Sequence, residues 1–206
     1  MQPGNDGKIQ LASSSIEVRV AKTHEDLAMV MAVRAAVFLA EEDNITYADE
    51  FNGNDFFATH LIAFVNGDPA GVVRCRWFAD FSIMERLAIR KRYRCFKVLL
   101  TLAKSAAKLA QQKGYRMMVG RARGDIALFW RHFGCRPTGR AVTMYRGTLR
   151  PFVYDIVQDG SQPAIRGDGP FGDPHFEEMI AQIEGEWDFN LLRQAVHPGA
   201  LQAAAE

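Results

Sequence analysis

ERLAIRKRYRCFKVLLTLAKSAAKLAQQKGYRMMVGRARGDIALFWRHFGCRPTG, residues Glu85 to Gly139, decides the fold, because it encodes in order a strand, a basic turn, a helix, a second strand and a second helix. From Phe81 to Ile89 the apolar Ile83, Leu87 and Ile89 alternate with Met84, Arg86 and Ala88, the period of two of a strand, and Glu85 interrupts the apolar pattern. Arg90 to Lys97 then holds five cations, Arg90, Lys91, Arg92, Arg94 and Lys97, which places that stretch in an exposed turn. Leu99, Leu102, Ala103, Ala106, Leu109 and Ala110 form one helical stripe, so the pattern predicts a helix from near Val98 to Gly114, a left-handed terminator. The first turn of that helix offers free backbone N–H groups and the positive end of the helix dipole beside the basic cluster. The expected guest is an anion, a phosphate of a nucleotide-type ligand above all.

Outward from this core, Ile16 to Val20 reads as a first strand, and Thr23 with Asp26 as a capping-box variant opening a helix with Leu27, Val30, Met31 and Phe38 inward. Arg34 borders that stripe. His60 to Asn66, the Asn66-Gly67-Asp68 turn and Ala70 to Phe78 read as an antiparallel hairpin. Val142 to Gly147 is a further strand, Gln158 to Pro174 a Gly-, Pro- and Asp-rich loop or linker, and Asp173-Pro174 opens a helix striped by Phe176, Met179, Ile180, Ile183 and Trp187. The division expected is a disordered leader over 1–14, one α/β domain over 15–150 with a mixed central sheet flanked by helices, and a C-terminal extension over 151–206 packed on it.

The 206 residues, 48% hydrophobic, suffice for one sizeable core, and a net charge of +1 argues against a general nucleic-acid binder. Three cysteines, Cys75, Cys95 and Cys135, lack metal-ligand spacing and leave one unpaired, so reduced thiols in the cytoplasm and no metal are expected. The polar start lacks a signal-peptide core, and no apolar run approaches a membrane span.

The run Glu85 to Arg90, Tyr93-Arg94, the amphipathic helix, Lys113 to Arg116, and Phe129-Trp130-Arg131-His132-Phe133-Gly134-Cys135-Arg136-Pro137 resembles, in order and spacing, the GNAT (Gcn5-related N-acetyltransferase) superfamily from its fourth strand through its fourth helix. Arg34 to Phe38, Asp49 to Asp55, His60 to Ala63 and Gly67 to Gly71 extend the likeness over roughly residues 16 to 147. The resemblance implies the GNAT fold and an N-acyltransferase taking an acyl group from acetyl-CoA, or a longer acyl-CoA, to a primary amine. It implies a donor site at Leu87, Ala88, Ile89, Arg94, Cys95, Phe96, Lys97, Val98, Leu99 and Trp130, and an acceptor side at Arg34, Phe38 and Glu50.

Two departures bear on activity. With Arg94 at the head of the family's acyl-CoA loop, its two small-residue positions hold Lys97 and Leu99, where a side chain tends to obstruct the backbone's approach to a pyrophosphate. Trp130 stands where many members carry the Tyr that reprotonates the leaving thiolate, and an indole N–H donates without titrating. Each candidate also has a structural reading. Glu85 is a general base or an ion-pair partner of a neighbouring Arg. Arg34 clamps an acceptor carboxylate or pairs with Asp49 or Glu50, the pairing being preferred. His132 replaces the missing acid or caps a helix at the surface, Cys95 is a low-pKa thiol or an incidental loop cysteine, and Trp130 underlies the donor or fills the core. Alternatives within and beyond the class stay open: an acyl carrier protein as donor, as in autoinducer and N-acyl amino acid synthases of similar fold, or a catalytically silent binding scaffold. A homodimer is a further option. An open tunnel beside the fourth strand favours the enzyme, and one plugged by Phe96, Lys97 or Trp130 defeats CoA-dependent transfer.

Overall fold

The computed structural model describes residues 15–144 and 147–158. The leader expected over 1–14, most of the loop expected up to Pro174 and the helix expected around Phe176 to Trp187 lie outside the described residues. In chain order the elements are β1 (Ile16–Val20), α1 (His24–Arg34), α2 (Tyr47–Glu50), β2 (Thr59–Val65), β3 (Asp68–Trp77), β4 (Ser82–Ile89), α3 (Phe96–Gln112), β5 (Met117–Arg123), α4 (Ala127–Phe133), β6 (Arg136–Pro137), β7 (Val142–Met144) and β8 (Gly147–Asp155). The strands form one mixed sheet in the order β1-β2-β3-β4-β5-β8-β6, with β7 paired to β8. Only β4 and β5 run parallel among the described pairs, joined by α3 as crossover.

The α3 pattern translates directly into packing. Val98, Leu102, Ala103, Ala106 and Ala110 are buried against Leu61, Ala63, Val73, Cys75 and Met84 on one face of the sheet. The helix begins two residues before the expected Val98, because Cys95 is extended (φ −147°, ψ 163°) and takes the capping position. It ends as expected at Gly114 (φ +86°), where the N–H groups of Gly114 and Tyr115 donate to the carbonyls of Gln111 and Ala110.

On the other face, Val30 and Val33 of α1 and Val37 just after it lie over Ile62, Val72 and Ala88. The Thr23 hydroxyl accepts from the Asp26 N–H at 3.2 Å, as the capping pattern implies. After Arg34 the backbone widens into a π-helical turn over Ala35–Glu41. Leu27, Met31 and Phe38, expected inward, are only half-buried, and Arg34 stands in the buried row beside Val30, Val33 and Val37.

Simple alternation fails in β4. Arg86 has φ +50°, and the register puts Val72 opposite Ala88 but Arg74 opposite Glu85, so two residues of β4 oppose one of β3. This bulge re-aims the side chains on either side of it. The Asn66-Gly67 hairpin forms as read, with φ +50° and +84° in the turn. The strand expected over Val142 to Gly147 is instead β7 plus the start of β8. β8 pairs with β5 at seven positions, from Met117↔Asp155 to Arg123↔Leu149, and carries the sheet past residue 150.

Candidate active site

β4 and β5 are paired only at Ser82↔Met118 and Ile83↔Val119. Past these two pairs the strands diverge, and Gly120 sits at the fork. A Cβ there would lie 2.8 Å from the Met84 carbonyl oxygen and 2.5 Å from the Phe152 ring, so only glycine lets the fork close this tightly. A cavity of about 880 Å³ fills the divergence. Its walls include Leu87 and Ile89 of β4, Leu99 of α3, Trp130 of α4 and Phe152 of β8, together with Glu85, Arg86, Arg121 and Arg123. Phe38, Asp43, Asn44 and Ile45 close it from the segment after α1. That size suits a drug-sized guest.

At one margin lies the start of α3. Cys95 supplies no side-chain cap, and the first bond back into the helix is Leu99 N–H to the Cys95 carbonyl at 3.2 Å. The N–H groups of Phe96, Lys97 and Val98 precede that bond, and no acid stands in the helix's first turn. Arg94 turns back toward Glu41 (2.7 Å) and the Ile89 carbonyl (3.0 Å from Nη2).

Behind Glu85 stands a buried network of charge. Arg34, fully buried, donates to Glu50 and Asp55, and its Nη2 also donates to the Glu50 carbonyl at 2.9 Å. Arg74 bridges Asp55 (3.1 Å) and Glu85 (2.9 Å), Arg76 lies 2.7 Å from Glu85, and Arg86 lies 3.0 Å from Glu50. Burial pushes the Glu85 carboxyl up, but the charges of Arg74, Arg76 and Arg86 outweigh it and hold the group at about 2. Asp55 follows the same balance, burial raising it and Arg34 and Arg74 bringing it below its ordinary value. Burial lowers His60, which keeps its ring neutral at neutral pH, with Nε2 3.1 Å from the Asp55 carbonyl oxygen. Cys75 and Cys135 are buried, and desolvation pushes both thiols up to about 12.

The cavity gathers Phe38, Glu85, Leu87, Ile89, Arg94, Leu99 and Trp130 of the expected site. Ala88 and Val98 are buried in the cores of opposite faces and do not line it. Cys95 and the exposed Phe96 and Lys97 stand outside it, so neither Phe96 nor Lys97 plugs it. Trp130 packs face to face on Phe152 (4.7 Å) as one wall rather than a stopper. His132 is exposed, its Nδ1 2.7 Å from the Leu128 carbonyl oxygen of the same helix, and does not reach the cavity. Arg34 and Glu50 are paired with each other behind the cavity wall. Sequence reasoning passed over Arg74, Arg76 and Arg86 as site residues, although two Arg at alternate positions of the otherwise apolar VVRCRW strand marked a polar half-face.

A bulged fourth strand, a parallel fifth strand that forks from it and a crossover helix starting at the fork give this chain the fold of the GNAT superfamily. No family model matches the chain. It is 26% identical over 149 residues to a Bacillus subtilis protein named "putative acetyltransferase", a match spanning 71% of this chain and 99% of that protein. Among solved structures, one called "putative N-acetyltransferase" from Lactobacillus plantarum superposes with a TM-score of 0.64 at 21% identity, covering 69% of this chain and 99% of that one. FeeM, an N-acyl amino acid synthase from uncultured soil microbes, shares the fold at a TM-score of 0.59 and 9% identity, over 70% of this chain and 92% of its own. BjaI, a CoA-dependent acyl-homoserine lactone synthase solved with SAM and isopentyl-CoA, does so at 0.57 and 13%, over 70% and 84%. Among the described residues no cluster of His, Cys, Asp and Glu is placed to hold a metal ion, and no helix is long and apolar enough to cross a membrane.

Proposed function

We propose that this protein is an N-acyltransferase that moves an acyl group from a CoA thioester to a primary amine inside the β4–β5 fork. The observation that carries the reading is the open cavity of about 880 Å³ between the forked strands, bordered by the uncapped start of α3. The residues present fit a CoA ester: Phe96, Lys97 and Val98 offer backbone donors for phosphate oxygens, and Leu87, Ile89, Leu99 and Trp130 offer apolar walls for the pantetheine arm. A backbone N–H of β4 between Leu87 and Ile89 would meet the developing oxyanion. A thioester is already activated, so holding the amine against its carbonyl supplies much of the acceleration without a covalent intermediate.

Glu85 takes a different part from that of a general base. A carboxylate held at about 2 is too weak a base to keep a proton at neutral pH, so Glu85 holds the acceptor by accepting a hydrogen bond from its N–H, while the arginine charge around it favours the neutral, nucleophilic amine and water takes the proton. Glu85→Gln should lower kcat/KM for the amine by about 10–100-fold while the pH profile keeps its shape. Loss of an acidic limb from that profile would instead make Glu85 the base. The primary test is calorimetry of the purified chain with acetyl-CoA, a long-chain acyl-CoA and an acylated carrier protein. Binding of either CoA ester is expected. Binding of the carrier alone would transfer the reading to a carrier-dependent enzyme, and silence with all three would leave a binding scaffold.

A further inference from the structure

Charge is divided along this chain far more sharply than its net value suggests. From Arg86 to Tyr154 there are 17 Lys and Arg residues and a single acid, Asp125, whereas residues 159–206 hold nine acids and two bases. The basic part carries an aromatic row between α3 and α4 that is exposed at Phe96 and half-buried at Phe129, Phe133 and Tyr154. Phe96, 61% exposed, meets Phe129 edge-on at 5.5 Å; Phe129 is followed by Phe133 at 6.0 Å, and Phe133 by Tyr154 at 4.9 Å. Lys104 and Lys108 continue the i, i+4 row that begins with Phe96 and Leu100 along α3, and all of Lys97, Lys104, Lys108 and Arg131 are exposed. Among the described residues no carboxylate pairs with any of these four cations.

The described chain runs out at the far end of this row. Tyr154 is its last ring, and the carbonyl of Val157, itself 81% exposed, accepts from Gln111 Nε2 at 2.5 Å on α3. Downstream, Phe176, Met179, Ile180, Ile183 and Trp187 recur at helical spacing, with Glu177, Glu178, Glu184, Glu186 and Asp188 between and beside them. The span from Gln158 to Phe176 reaches up to about 60 Å when extended. The 17-residue α3 is only about 26 Å long, so the stripe can lie anywhere along the row.

We propose that the acidic, apolar-striped segment 173–188 docks in cis along the aromatic row between α3 and α4, its apolar residues on Phe96, Phe129 and Phe133 and its carboxylates toward Lys97, Lys104, Lys108 and Arg131. Opposite charge, a partly exposed aromatic row and an exit point at the end of that row all name this segment as the occupant. The docking does not depend on the acyltransferase reading.

Hydrogen–deuterium exchange on the dilute full chain tests it. In the variant carrying Phe176→Asp, Ile180→Asp and Ile183→Asp, exchange within residues 96–104 and 127–133 should rise about tenfold over the natural chain. A Lys104→Glu and Lys108→Glu pair, on exposed positions that leave the core intact, should loosen residues 176–187, and adding Glu177→Lys and Glu178→Lys should restore their protection. Unchanged exchange in both windows would overturn the proposal. So would protection that fades on dilution, since it would place the segment on a second copy.

Discussion

The two faces of the central sheet are made by the same strands and held by different physics. In β2 and β3, Leu61, Ala63, Val73 and Cys75 face α3, where everything near them is aliphatic or aromatic. The alternate residues Ile62 and Val72 face α1, and next to them Arg74 and Arg76 meet Arg34, Glu50, Asp55 and Glu85 in a buried web of ion pairs that the neutral His60 joins by its hydrogen bond to the Asp55 carbonyl. The apolar face gains free energy from every methylene it removes from water. The charged half-face loses most of its Coulombic gain to desolvation, so what it contributes is fixed geometry beside the cavity. One face makes the fold stable, and half of the other makes it specific.

Removing one member of the web should have the largest effect. Arg34→Ala leaves Glu50 and Asp55 without their shared cation and should cost about 3–5 kcal/mol in urea unfolding at neutral pH. The deficit should narrow in acid, where the stranded carboxyls take up protons. Leu102→Ala on the opposite face should cost about 2–5 kcal/mol, and its cost should not vary with pH. Equal pH dependence in the two variants would erase the contrast between the faces. Gly120→Ala should cost about 1–3 kcal/mol by pushing Phe152 and the Met84 carbonyl apart at the fork, and should weaken donor binding with it.

A subtler sharpening comes from acid titration. Glu85 and Asp26 both titrate at about 2 in the folded chain, below their ordinary 4.5 and 3.8. Because the folded values are depressed, the stability these groups lend is present above the ordinary values and is lost as pH falls toward 2. Urea midpoints should therefore decline from about pH 5 downward, and Glu85→Gln should flatten that decline.

The apolar face was legible because its signals are local. The α3 stripe, the Gly114 terminator and the Asn66-Gly67 turn each announce themselves within a few residues, and the GNAT pattern orders them. The charged web was not, since its members are drawn from α1, α2, the loop before β2, β3 and β4, and only the bulge at Arg86 brings them into register. A non-glycine residue at φ +50° leaves no mark in a sequence. The same bulge explains why strict alternation over Phe81 to Ile89 misplaced the faces. Glu85 was found as the one acid in an apolar strand with Arg86 beside it, but Arg74 and Arg76, which pair with it and help decide its charge, meet it only in space. The helix start was misread by two residues because Phe96, a strong apolar signal, is exposed on the helix's first turn instead of buried.

The fork between β4 and β5 leaves the sheet with an edge in its interior. An edge strand at the border of a sheet is a standing invitation to pair with another protein chain, and proteins spend charges, prolines and bulges to discourage it. Here the unzipped stretches of β4 beyond Ile83 and β5 beyond Val119 border the cavity within the sheet rather than its outer rim. The backbone groups that at a border would solicit another chain are turned toward the cavity instead, so the pairing capacity of a sheet edge is kept inside the fold.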